Sequence, residues 1–247
     1  MMKPSPIISA PAHNNPNQTI LRQSLLCFSL PLEVADLSRF RAAIAEKAGW
    51  EQDLFHNHQS RKSPANGKVI NRYPLVQYRL YQGHAAMLGY NEGALAVSRF
   101  LADYDGTLSL KGEDLKLPIR DFRQRTWELK TSTKSLQYRL KDWIALNQRN
   151  YHRWQAAPSD IARKQLLERI LTAHLLAFAK AMHWDIDWTL QIEIQEIERT
   201  KQTRYRNVSL LAFDIRYTAN LCIPANIGLG KSVSEGYGRN QLWRITG

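Results

Sequence analysis

Cysteine is almost absent from this 247-residue chain: Cys27 and Cys222 are the only two. Both stand in apolar, strand-like runs without Cys-x-x-Cys spacing, so they read as buried reduced thiols and suit a cytoplasmic location. Long hydrophobic runs are missing too. No segment reaches the roughly 18 uninterrupted apolar residues that a membrane helix needs, so no membrane-spanning segment is expected and a membrane is not the expected partner. Residues 1–19 are rich in Pro and Asn and lack an apolar signal core, so a flexible leader is expected there. Acids are scarce beside bases: 22 Asp and Glu face 34 Lys and Arg, for a net charge of +12. Such a surplus calls for a polyanionic partner, because each phosphate neutralised releases condensed counterions. Nucleic acid comes first, ahead of an anionic membrane surface or a ribosomal context.

Periodicity places the elements. An apolar run over 20–30 predicts a strand. Apolar residues at 34, 37, 40, 44 and 48 predict a helix that Gly49 stops. Residues 51–72 are polar and aperiodic, which predicts a loop. Tyr73 to Tyr81 and Ala85 to Gly89 read as a hairpin turning at Gln82-Gly83-His84. A helix from Ala94 to Tyr104 and a strand at Thr107 to Leu110 complete the order strand, helix, strand, strand, helix, strand. That is the ferredoxin-like (RRM-like) split βαβ arrangement, an α+β fold with an antiparallel sheet.

The second half repeats the theme less clearly. Residues 119–149 are mixed and basic, with eight Lys or Arg against three acids. Ser159 caps a long helix to about residue 183, whose apolar face is Ile161, Leu167, Ile170, Leu171, Leu175, Phe178 and Met182. Strands Trp188 to Arg199 and Val208 to Ile223 follow, joined by a basic tip holding Lys201, Arg204, Tyr205 and Arg206. That tip suits an RNA stem or single strand, with a solvated hairpin as the even alternative. Gln241 to Ile245 reads as a last short strand. The expected division is 1–19, leader; 20–115, an N-terminal ferredoxin-like domain; and 116–247, a C-terminal ferredoxin-like domain in tandem with it, helices on one face of each sheet.

The most distinctive segment has four glycines, Gly228, Gly230, Gly236 and Gly238, between two strands. Backbone freed of Cβ atoms can turn successive N–H groups onto phosphate oxygens, with Lys231 and Arg239 adding charge and Ser232 and Ser234 adding hydroxyls. A tight strand connection without ligand is the competing reading. Walker and Rossmann loops are excluded: no Gly-Lys-[Ser/Thr] stands at the required spacing before a helix, and no βαβ unit follows.

The stretch from Ile223 to Gly238 resembles the C-terminal signature loop of RAMP proteins, and in particular the Cas-six family of CRISPR precursor-RNA endoribonucleases. Tyr73-Pro74-Leu75-Val76-Gln77-Tyr78 followed by Gly89-Tyr90-Asn91-Glu92-Gly93, and Trp143 through Tyr151, are similar to further family stretches. The likeness spans roughly residues 20–245. It implies two ferredoxin-like domains that bind CRISPR repeat RNA and cut it without metal or cofactor. The ribose 2′-OH would attack the adjacent phosphate, leaving a 2′,3′-cyclic phosphate and a 5′-OH. It leaves open a non-catalytic RAMP subunit holding guide RNA in an effector complex, and further partners among effector-complex proteins or a second copy.

In the family the general base commonly follows the first helix, where this chain has Phe55-His56-Asn57-His58. His58 stands slightly ahead of His56, since its neighbours are wholly polar. Histidine exchanges protons near neutral pH, as such cleavage requires. A metal site at the pair is disfavoured because no further His, Cys or acid cluster stands nearby. Lys62 and Lys68 are candidates to stabilise the phosphorane, and Tyr73 to orient base or phosphate. His84, His174 and His183 read as structural, and the tryptophans as core.

Overall fold

The computed structural model describes residues 17–49, 52–56, 72–110, 112–205 and 208–243. Its elements run β1 (Gln18–Pro31), α1 (Leu37–Ala48), α2 (Asp53–His56), β2 (Val76–Tyr81), β3 (His84–Tyr90), α3 (Glu92–Asp103), β4 (Thr107–Leu110), β5 (Glu113–Lys116), β6 (Ile119–Trp143), α4 (Gln148–Gln155), α5 (Asp160–Ala181), β7 (Ile192–Tyr205), β8 (Val208–Cys222) and β9 (Arg239–Leu242). Among the described residues, no helix is long and apolar enough to cross a membrane.

One antiparallel sheet runs β2-β3-β1-β6-β8-β7, with β9 also paired to β6. It contains two ferredoxin-like orders that share a strand. The first half of β6 is the fourth strand of the N-terminal unit, pairing with β1 from Gln18↔Lys130 to Phe28↔Ile119. Its second half is the first strand of the C-terminal unit, flanked by β8 (Lys130↔Cys222 to Trp143↔Phe213) and β9 (Tyr138↔Leu242 to Lys141↔Arg239). The tandem α+β fold is therefore present, with one internal difference. Thr107–Leu110 is not the fourth strand of the first unit; it forms a separate ribbon with β5. The 25-residue β6 takes that place. Its many half-exposed charges break the alternation that would have announced a strand.

Burial explains the sequence patterns. Leu25, Leu26, Cys27 and Phe28 of β1 are all buried, because both faces of this strand are covered. Leu26 and Phe28 join Phe40 and Ile44 of α1, Val97 and Phe100 of α3, and Met87 of β3 in an N-terminal core. Leu25 and Cys27 join Leu88, Tyr90, Leu140 of β6, Phe213 of β8 and the face Leu167, Leu171, Leu175 and Phe178 of α5 in a second core. That second core crosses from one half to the other. Ser159 caps α5, its hydroxyl accepting from the Ala162 amide at 3.2 Å. Ile161 lies off the predicted apolar face, 71% exposed on the first turn, and Trp188 precedes β7 in an irregular stretch, 47% exposed. The basic segment after Arg199 is paired strand rather than a loose tip, its register continuing to Tyr205↔Val208.

Because Leu140 has no exposed surface and sits on the shared strand, Leu140→Ala should destabilise the fold by about 2–5 kcal/mol. Chemical denaturation measures this, and the loss should appear in one cooperative transition because the core spans both halves.

Candidate functional site

The glycine-rich segment leaves β8 at Cys222, crosses to the N-terminal half and returns as β9. Packing alone demands its glycines. Gly238 has φ +64°, and a Cβ there would meet the Leu229 carbonyl oxygen at 1.8 Å. Gly236 has φ +86°, and a Cβ would fall 2.8 Å from Leu37 Cδ1 of α1 and 3.4 Å from the Tyr78 carbonyl of β2. Gly228 lies against Gln77 and Val233, and Gly230 against the Trp143 ring. Ser232 also takes a left-handed conformation, φ 56°. The segment is thus a close-fitting clasp on α1, β2 and the end of β6.

Polar contacts fasten it. Arg41 of α1 donates to Glu235 at 2.8 Å and to Ser234 Oγ at 3.4 Å, both ends of the ion pair buried. Arg79 of β2 donates through Nη1 to the Asn226 carbonyl and through Nη2 to Gln77 Oε1 at 2.6 Å. Gln77 Nε2 in turn donates to the Tyr73 hydroxyl at 2.9 Å, and the Tyr90 hydroxyl donates to the Asn226 carbonyl at 2.9 Å. Tyr73 is half-buried beside Phe178 and Tyr90, and burial pushes its phenol well above the ordinary range.

Beside this network lies a cleft of about 240 Å³ lined by Gln23, Arg79, Tyr81, Arg123, Arg125 and Arg239 among others, with no acidic residue in its wall. Arg123 stacks over the Tyr81 ring at 5.7 Å and pairs with Asp121 at 2.6 Å. Among the described residues, it is the one of the four arginines with a carboxylate partner. Arg79 is 4% exposed, its Nε buried without a hydrogen-bond acceptor, and burial depresses its pKa. Arg123, Arg125 and Arg239, with Arg79 buried beneath them, give one concave wall the charge and geometry to take an anionic chain.

The structure gathers several of the predicted residues and separates others. Arg239 lines the cleft; Lys231 is exposed at the far side of the clasp, its amide bonded to the Ile144 carbonyl at 3.0 Å. Lys201 of β7 pairs with Asp142, whose carbonyl accepts from the Gly238 amide at 3.0 Å; neighbouring Thr203 meets the Tyr237 hydroxyl at 3.1 Å. So β7 abuts the clasp. Arg204 lies on β7, paired with Ser209, and its side chain is outside the described residues. His56 ends α2, its side chain likewise outside them; His58, Lys62, Lys68 and Arg206 lie outside them altogether. No group of three or more His, Cys, Asp or Glu able to hold a metal occurs among the described residues.

Arg79, Arg123 and Arg125 were missed by residue-type reading. The signal was there: Gln77-x-Arg79-x-Tyr81 and Arg123-x-Arg125-x-Trp127 alternate with period two, placing each set on one face. His174 of α5, read as structural, accepts at Nδ1 from Trp143 Nε1 at 3.2 Å. Burial, aided by Lys231, holds its pKa down at about 4, so it is neutral at pH 7 with its proton on Nε2.

Two family models match the chain: the Cas6b N-terminal domain over residues 20–128 and the Cas6b C-terminal domain over 130–241. A crystal structure of Cas6b is similar with a TM-score of 0.75 at 21% identity, covering 91% of this chain and 100% of that one. The crystal structure of a CRISPR RNA processing endoribonuclease Cas6b is similar at a TM-score of 0.69 and 19% identity, covering 91% and 100%. An uncharacterised protein of Methanocaldococcus jannaschii is 28% identical over 132 residues, 53% of this chain and 88% of that protein.

His174 carries a depressed pKa, so its contribution is complete above the unfolded value of 6.5 and is lost as pH falls towards about 4, when the unfolded chain takes up the proton more readily. The thermal midpoint should therefore drop between pH 7 and pH 5, and His174→Gln should flatten that drop. Calorimetry across this range measures both.

Proposed function

The chain belongs to the Cas6b family, and we propose that it is an endoribonuclease that processes CRISPR precursor RNA. The arginine-lined cleft beside the glycine-rich clasp carries this reading. A net charge of +12 draws the RNA in, and Arg123, Arg125 and Arg239 hold its phosphates.

Cleavage is by the ribose 2′-OH, without metal. His58 or His56 takes the 2′-OH proton, the oxygen attacks the adjacent phosphorus, and the 5′ oxygen of the next nucleotide leaves with a proton supplied by an acid. The products carry a 2′,3′-cyclic phosphate and a 5′-OH. Lys62 and Lys68 oppose the charge that grows on the phosphorane oxygens. The clasp, through Lys231, Ser232, Ser234 and Arg239, holds the strand, with Lys201, Arg204 and Arg206 of the β7–β8 hairpin on the flanking RNA. Tyr73, tied by Gln77 into the base of the clasp, orients it. The partner is CRISPR repeat RNA.

Labelled repeat RNA incubated with the protein in EDTA should be cut at one position. His58→Ala or His56→Ala should slow the cut by about 10²- to 10⁴-fold while RNA binding persists. Cleavage that EDTA abolishes would overturn the metal-free mechanism. Binding with no cleavage by the unaltered protein would make it a subunit that only holds guide RNA.

A further inference from the structure

The helix that carries His56 is not held by its own length. Helix α2 spans four residues, too few to be stable alone. What fixes it is Phe55. Its ring is 3% exposed and packs on Phe100 at 5.8 Å, and its carbonyl accepts a hydrogen bond from the Tyr78 hydroxyl at 2.9 Å. Tyr78 is completely buried on β2, with its ring edge-on to Phe40 of α1 at 5.9 Å. A phenol buried among Phe28-side core residues would normally be a phenylalanine, since a hydroxyl there costs desolvation unless it is bonded. Here the hydroxyl donates to the carbonyl of the residue before His56.

The same residues touch the clasp from the other side. The Tyr78 carbonyl is the atom that a Cβ at Gly236 would approach, and Gly236 also closes on Leu37 of α1. Arg41, one turn further along α1 from Leu37, holds the neighbouring Glu235 in the buried ion pair. Arg41 also acts on Tyr78, its positive charge opposing the burial that raises the phenol's pKa. The clasp and α2 thus meet at Tyr78: Gly236, beside the Arg41-bound Glu235, closes on its carbonyl, while its hydroxyl holds the Phe55 carbonyl. Glu235 and Phe55 are 180 residues apart in sequence (235 − 55).

We infer that Tyr78 and the Arg41–Glu235 pair are positioning residues that set the histidine-bearing α2 in fixed relation to the clasp that grips the RNA. The inference rests on the proposed assignment of the base to the His56/His58 segment. It adds that the clasp registers the base against the scissile phosphate as well as holding RNA. All three act through α2 and the clasp.

Tyr78→Phe removes one oxygen and keeps the buried ring, so it separates positioning from packing. Single-turnover cleavage of labelled repeat RNA should slow by about tenfold or more, the scale at which small misplacements of reacting groups act. The Kd for the RNA should stay within about twofold, since the arginine cleft is untouched. In a His58→Ala or His56→Ala background that has already lost cleavage, Tyr78→Phe should slow the residual rate no further. The paired variant Arg41→Gln with Glu235→Gln removes both charges without leaving either one buried alone, and should slow single-turnover cleavage at saturating protein by a similar factor. A Tyr78→Phe protein that cleaves at the original rate overturns the inference, as does one whose rate and affinity fall together. If neither histidine variant slows cleavage, the base assignment itself fails and the inference with it, an outcome distinct from a silent Tyr78→Phe beside an inactive histidine variant.

Discussion

Strand β6 is hydrogen-bonded on both sides and belongs to both halves. Along Ile119–Lys130 it closes the N-terminal sheet against β1; from Lys130 to Trp143 it opens the C-terminal sheet between β8 and β9. The two ferredoxin-like units therefore cannot hinge freely. One core packs Leu25, Leu88 and Tyr90 of the first against Leu140, Phe213 and α5 of the second. The site inherits this rigidity. Arg123 and Arg125 stand on the first half of the strand, while Asp142 and Trp143 at its far end hold Lys201, Gly238 and His174.

The clasp completes what the shared strand begins. Where the second ferredoxin-like unit would carry its second helix, this chain has the glycine-rich segment. It crosses to α1 and β2, where side chains would collide. Its fastening is buried and polar: an ion pair at Glu235, and a guanidinium and a phenol converging on the Asn226 carbonyl. Buried pairs of this kind add little net stability over apolar packing, yet removing one partner is costly. They fix register, and register is what a site assembled from both ends of a chain requires. The glycines thus have a packing reason that is independent of phosphate, and the anion-holding wall beside them is made largely by arginines.

Much of this was legible in the sequence. The helical spacing of Leu37, Phe40 and Ile44, the hairpin at Gly83 and the Ser159 cap all announced their elements. So did the +12 charge and the glycine pattern, which pointed to RNA and to the family. The shared strand was not legible, because Arg123, Gln124, Arg125 and Thr126 are all exposed and give β6 no apolar alternation. For the same reason Thr107–Leu110 was given the place that β6 occupies. The arginine cleft escaped because its arginines come from β2, β6 and β9, which no local spacing connects. Ile161 followed helical period but sits on the first, exposed turn of α5, beyond the sheet it was expected to cover.

In the proposed mechanism the attacking nucleophile belongs to the RNA, and the protein holds, orients and exchanges protons. Replacing the single ribose on the 5′ side of the cut by 2′-deoxyribose removes that nucleophile and little else. The modified repeat RNA should bind with unchanged affinity and stay uncut at that position. Cleavage of the deoxy substrate at the same bond would mean that water or a side chain attacks the phosphorus, and would contradict that mechanism.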